Sequence, residues 1–263
     1  MDIRDKRVVL TGAAGGMGSL LAAQLAKRGA KLALVDANAE ALSDVAAGIE
    51  GAHSVTGDLS SADGCQAVAG QCSELLGGID LLINLAGLNS FAAFEDESAE
   101  KIQLMMHVNL LAPMWLSRAF LPEMLDQSAA RIVNVGSTFG SIGFAYFTTY
   151  SATKFGLRGF SEALRRELAD TGVSVTYVAP RAVKTPMNSD VIMRMGEATG
   201  MNMDEPELVV EKIIAAIEND RKDVYLGFPE SLFVRINGIL PRIVDGAVAA
   251  QNRIARKFAK GEN

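Results

Sequence analysis

Hydrophobic residues fall in short, dense runs separated by longer stretches of helical period. The runs at Arg7 to Thr11, Lys31 to Val35, His53 to Thr56, Asp80 to Asn84, Arg131 to Gly136, Val173 to Ala179 and Val224 to Leu226 are rich in Val, Ile and Leu, and most stop at a small or polar residue. Such runs read as strands buried on both faces. Between them the period lengthens: Ser19 to Arg28, Ala39 to Ile49, a segment carrying Cys65 and Cys72 and closed by Gly77-Gly78, a long apolar-rich stretch capped by Ser98, one headed by Tyr150, and Pro206 to Glu218. Strand and helix alternate without interruption, which predicts the α/β class: a doubly wound parallel sheet with helices on both faces and a ligand crevice at the carboxyl ends of the strands. Residues 1–228 are expected to form this single domain, with 229–263 adding a C-terminal helical extension.

Composition narrows the class. Apolar residues make up 49% of the 263 and charged ones 21%, an ordinary globular balance with material for a sizeable core. A net charge of −6 leaves no basic stripe for phosphates and argues against a nucleic-acid partner. Cys65 and Cys72, seven apart, form neither a zinc spacing nor a redox pair, so no metal site is expected. Met1 to Asp5 carries no secretory pattern and no apolar run reaches membrane-spanning length. A cytoplasmic protein follows, at most peripheral on a membrane.

The chemistry is concentrated at strand ends. Thr11-Gly12-Ala13-Ala14-Gly15-Gly16-Met17-Gly18 follows the first strand and opens a helix, the context that makes a glycine pattern a dinucleotide site. Gly12 permits the tight turn, Gly16 lets the backbone approach a pyrophosphate, and Gly18 allows close helix packing. Asp36 ends the second strand, where its carboxylate accepts from ribose hydroxyls and repels a 2′-phosphate, favouring NAD over NADP. It is also a candidate N-cap for the helix that follows. Asn84-Leu85-Ala86-Gly87 places small residues after another strand. Pro113 stands four residues past Asn109, so the Asn109 carbonyl loses its helical partner and a kink is expected there, freeing that oxygen to hold a water near Lys154. His107 faces away and reads as structural.

Ser137 stands just past the fifth strand, and Tyr150 and Lys154 lie one turn apart on a helix. A phenol must drop roughly three pKa units, about 4 kcal/mol, to act as a base near neutrality. One cation about 4 Å away at an effective dielectric near 20 supplies about that much.

Taken in order, the glycine loop, Asn84-Leu85-Ala86-Gly87, Asn109, Ser137, and Tyr150 with Lys154 resemble the short-chain dehydrogenase/reductase family over the chain to about Phe228. That resemblance implies a Rossmann fold and a catalytic tetrad of Asn109, Ser137, Tyr150 and Lys154. Cofactor contacts are then expected at Gly12, Gly16, Met17, Gly18, Asp36, Asp58, Leu59, Asn84, Ala86, Gly87, Tyr150, Lys154, Pro180, Val183 and Thr185. It implies NAD(H)-dependent interconversion of a secondary alcohol and a ketone, or of an alcohol and an aldehyde. The alternative is an NAD-sensing protein on the same fold without turnover. One position departs: Pro180 is followed by Arg181 where the family usually has glycine, which leaves two placements for that side chain, in the substrate mouth or out in solvent.

Met187, Met193, Met195, Met201 and Met203 fall at about 186–205, the segment that by this resemblance covers the substrate, an adaptable apolar wall suited to a lipophilic ligand or to packing on the body. Beyond it, Phe233, Ile236, Ile239, Leu240, Ile243, Val244 and Val248 recur at helical spacing among Arg235, Arg242, Arg253, Arg256, Lys257 and Lys260. Gly238 and Pro241 predict two short helices with a bend. An apolar face with basic flanks suits a membrane surface, and docking on the body or on a second subunit of a homodimer or homotetramer is the rival.

Overall fold

The structure, a computed structural model, describes residues 1–261; positions 262 and 263 of the extension lie outside the described residues. Seven strands form the main sheet in the order β3-β2-β1-β4-β5-β6-β9, where β1 is Arg7–Thr11, β2 Lys31–Asp36, β3 His53–Thr56, β4 Leu81–Asn84, β5 Ala130–Val135, β6 Val173–Ala179 and β9 Asp223–Tyr225. Every neighbouring pair is parallel. Alternate side chains serve opposite faces: Val8 and Leu10 join a cluster with Leu21, Leu25 and Ile213, whereas Val9 joins Val68, Leu116 and Phe120 on the other side. The helices that supply those clusters are α1 (Gly16–Lys27) and α8 (Pro206–Glu218) on one face, and α3 (Ala62–Leu76) and α5 (Ala112–Leu125) on the other. Strand order reverses between β1 and β4, so the crevice opens there, above Thr11 and Asn84.

Three local expectations need correction. Helix α1 starts at Gly16 rather than Ser19, so the glycine loop itself forms the first turn, with Gly15 at the N-cap and no side-chain cap. Asp36 does not cap α2 (Ala39–Ala47); Asn38 does, accepting the Ala41 N–H. Pro113 does not kink a continuous α-helix. Between α4 (Ala99–Met106) and α5 the chain makes a π turn over His107–Leu111, in which the Ala112 N–H reaches back five residues to the His107 carbonyl. The extra residue is absorbed ahead of the proline, which stands in the first turn of α5, where a missing N–H costs little.

Beyond the sheet's sixth strand, β7 (Ala182–Val183) pairs with β8 (Met203–Asp204) and brackets α7 (Asp190–Thr199). Met195 lies on the buried face of α7, and Met203 packs its methyl against Gly196, while Met187 is exposed. The methionines therefore divide between packing and lining. Helices α9 (Glu230–Ile239) and α10 (Pro241–Lys260) meet at Leu240, the bend expected from Gly238 and Pro241, but the second helix is 20 residues long. Ala255 and Phe258 of α10 dock on Phe144, Phe147, Ile192 and Met195, so one stripe of the arm is covered by the chain's own body.

Candidate active site

The crevice between β1 and β4 holds a cavity of about 680 Å³ lined by Gly12, Gly16, Met17, Gly18, Asp36, Asp58, Leu59, Ala86, Gly87 and Thr185 among others. Two glycines there are obligatory. Gly12 has φ +70°, and a Cβ on it would lie 2.8 Å from the Ala86 Cα; a Cβ on Gly18 would lie 2.0 Å from the Gly12 carbonyl oxygen. The helix N-terminus that follows presents unpaired N–H groups to an anion. Thr11 holds the crevice from below: its hydroxyl accepts from both the Leu85 and Ala86 N–H groups at 3.1 Å. Asp36 is oriented by the Ala14 N–H at 3.0 Å and the Asn38 N–H at 3.1 Å. The Ser60 backbone N–H and hydroxyl hold the Asp58 carboxyl below the usual carboxylate range.

A second, small cavity of about 80 Å³ adjoins Ser137, Tyr150, Pro180, Val183 and Thr185, with Met17 common to it and the larger one. Ser137 sits in extended backbone at the end of β5, and its hydroxyl accepts the Phe139 N–H at 3.1 Å, which fixes the turn that follows. Tyr150 rides the first turn of α6 (Thr148–Glu167) among Phe139 and Phe147. Burial pushes the phenol up to about 12, opposed by a hydrogen bond from Ser137. Lys154, one turn on, is buried, and burial lowers its pKa to about 8. Its ammonium donates to the Val135 carbonyl at 3.1 Å and lies 5.7 Å from the Tyr150 ring centroid. Desolvation thus acts on Tyr150 against the depression expected from Lys154.

Asn109 is fully buried in the π turn. Its Oδ1 accepts the Leu88 N–H at 2.7 Å, and its Nδ2 donates to the Leu88 carbonyl at 2.9 Å and the Thr153 hydroxyl at 3.2 Å. It ties the loop after β4 to α6, between Gly87 and Lys154. His107 bonds the Ser60 carbonyl at 2.7 Å, the structural role read from its position. Asn84 is buried off the cavity wall, donating to Asn134, which in turn donates to Ser161. Arg181 borders the small cavity beside Tyr150, the first of the two placements expected of it, but with its charge already paired. Its guanidinium bridges Asp204 at 2.6 Å and Glu230 at 2.9 Å, and its stem lies over Gly227, where a Cβ would meet it at 2.6 Å. Tyr177, fully buried in β6, donates to the Ser137 carbonyl and fills the space beneath Gly136 and Gly140. A lone aromatic hydroxyl in an aliphatic strand was the available signal for it.

A model of the short chain dehydrogenase family matches residues 6–195. The chain belongs to that family. Among its relatives, the ketoacyl reductase HetN of Nostoc sp. is 33% identical over 254 residues, covering 92% of this chain and 88% of the relative. Epidermal retinol dehydrogenase 2 of Mus musculus is 34% identical over 250 residues, covering 91% and 80%. A short chain dehydrogenase/reductase from Burkholderia phymatum in complex with NAD superimposes with a TM-score of 0.83 at 24% identity, covering 93% of this chain and 96% of that one. One from Burkholderia cenocepacia in complex with NADP gives 0.80 at 24%, covering 88% and 100%. These likenesses carry the fold: a Rossmann-like parallel sheet flanked by helices. Both α9 and α10 lie beyond the residues that the short chain dehydrogenase model matches.

Proposed function

We propose that this short chain dehydrogenase uses NAD(H) to interconvert a secondary alcohol and a ketone, or an alcohol and an aldehyde, on a hydrophobic substrate. The observation that carries it is the convergence of Ser137, Tyr150 and Lys154 from β5 and α6 beside a glycine-walled crevice that a dinucleotide fits. Gly12, Gly16 and Gly18 would take the pyrophosphate and Asp36 the adenine ribose, while Pro180, Val183 and Thr185 border the cavity beside Tyr150. A bound nicotinamide supplies the two-electron donor or acceptor. Ser137 orients the carbonyl oxygen by donating its hydroxyl hydrogen. Tyr150, neutral at working pH, gives that oxygen its proton in reduction and must lose its own proton before it serves oxidation. Lys154 carries the charge that eases this loss, and Asn109 holds the loop beside it.

Asp36 favours NAD over NADP, because no base on the cavity wall offsets its repulsion of a 2′-phosphate. Dissociation constants for NAD(H) and NADP(H), with a screen of alcohols and ketones followed at the NADH absorbance, test both statements. Tyr150→Phe should bind NADH as the parent does and lose at least 10²-fold in kcat. Tight NAD binding with no turnover across the screen would favour a sensor, and tighter NADP binding would overturn the Asp36 assignment. The names of the ketoacyl and retinol relatives accord with a lipophilic substrate.

We infer that the elbow between α9 and α10 rests on an anionic bilayer. Ile239, Leu240 and Ile243 are exposed there, Ile239 by 78%, beside exposed Arg235 and Arg242. The last 35 residues hold six Arg and Lys against three Asp and Glu in a chain of net charge −6. A two-fold contact centred on this patch would set those arginines against their own copies, so lipid is the better occupant.

A further inference from the structure

Between the arm and the loop after Ser137 lies a chamber of about 350 Å³, walled by Ile142 and Phe144 on the body side and by Phe233, Val244 and Val248 on α9 and α10. It does not belong to the cofactor crevice. It shares Phe139, Arg181, Ala182 and Met201 with the small cavity at Ser137 and Tyr150, so these four residues form the partition between the two spaces. The sizes are complementary. About 80 Å³ holds two or three water-sized groups, enough for a carbonyl and its nearest carbons, whereas 350 Å³ holds on the order of a dozen. A hydrophobic substrate reacting at Tyr150 outgrows the small cavity, and the chamber across the partition offers its body apolar walls.

The partition is built to pass an apolar chain. The Arg181 charge is paired with Asp204 and Glu230, which keeps the guanidinium from demanding a ligand anion. Met201 is unbranched and half-buried, the one side chain of the four with three freely rotating bonds and no fixed polar partner. Phe139 stacks on Phe144 at 5.1 Å, so a flat aromatic surface runs from the catalytic loop into the chamber.

Resting on the oxidoreductase reading above, we propose that the chamber binds the apolar chain of the substrate whose carbonyl lies at Ser137 and Tyr150, an alkyl or acyl tail of about eight to twelve carbons. Each methylene buried adds about 0.8 kcal/mol, or about fourfold in kcat/KM, until the chamber is full.

The test uses the whole protein with NADH and the 2-alkanones from 2-butanone to 2-tetradecanone. The expected result is a rise in kcat/KM of roughly fourfold per added carbon that levels off near ten to twelve carbons. In Val248→Trp, which fills the chamber from α10, the preference for 2-dodecanone over 2-butanone should fall at least thirtyfold; in Val248→Ala the levelling-off should move out by one or two carbons. No dependence on length, or the same preference in all three proteins, overturns the chamber while leaving the activity intact. If no ketone is reduced, calorimetric titration with 2-dodecanone decides separately: binding that weakens at least tenfold in Val248→Trp, with the melting temperature kept, supports the chamber, and absent or equal binding overturns it.

Discussion

Tyr150 and Lys154 show how a familiar spacing leaves the electrostatics open. Four residues on one helix bring phenol and ammonium to the same face, yet Lys154 is buried and Tyr150 half-buried, and desolvation moves each toward its neutral form: the phenol up to about 12, the amine down to about 8. The lysine is charged below about pH 8 and loses its charge above it. Ketone reduction, which needs the phenol intact and the ammonium charged, should therefore hold steady through neutrality and fall as pH rises past about 8; initial rates from pH 6 to 10 at saturating NADH check this. A rate that stays flat to pH 10 would mean that Lys154 keeps its proton and that the shift from burial is cancelled by a charge nearby. Both residues were legible from their one-turn spacing on a helix, and Ser137 and Asn109 because they stand at a strand end and a helix anomaly that sequence marks. Tyr177 and Asn134 were not, because what they do is set by partners up to 50 residues away that no local period encodes.

At the scale of elements, strands and most helices were readable because both faces of the sheet are covered, which leaves nearly unbroken apolar runs. The π turn was half readable. Pro113 announced a lost hydrogen bond, but where the extra residue is absorbed depends on the side chain of Asn109 finding both backbone groups of Leu88. Arg181 was not readable, since its partners lie 23 and 49 residues away on β8 and α9. Replacing it by glycine strands Asp204, which is largely buried, without its cation. Arg181→Gly should cost about 3 kcal/mol, a drop in melting temperature of about 6–12 °C in a chain of this size. Adding Asp204→Asn to that variant should recover more than half of the loss in a calorimetric scan. No recovery would place the cost in the stem packed on Gly227 rather than in the charge.

For the molecule as a whole, charge and hydrophobicity are unevenly spread: an acidic body carries a basic arm whose elbow exposes Ile239, Leu240 and Ile243. Among the described residues no helix is long and apolar enough to cross a membrane, so contact would be with one leaflet. In flotation, the protein should rise with vesicles of phosphatidylserine and phosphatidylcholine, rise less in 0.5 M salt, and stay below with Ile239→Asp/Ile243→Asp. A parent protein that never floats sinks the lipid assignment, and a change from oligomer to monomer in the double variant would give the patch to a second copy.

The bridge from Arg181 to Asp204 and Glu230 also has a history to be read. Because one guanidinium joins two carboxylates on separate segments, buried Asp204 is costly without the base, and the base has little reason to persist without the two acids. Across homologues that retain α9 and α10, positions 181, 204 and 230 should vary as a set, with glycine at 181 accompanied by neutral residues at the other two. A family tree would then show the clamp gained or lost in one lineage together with the arm, and chain-length preference should change hands at the same branch.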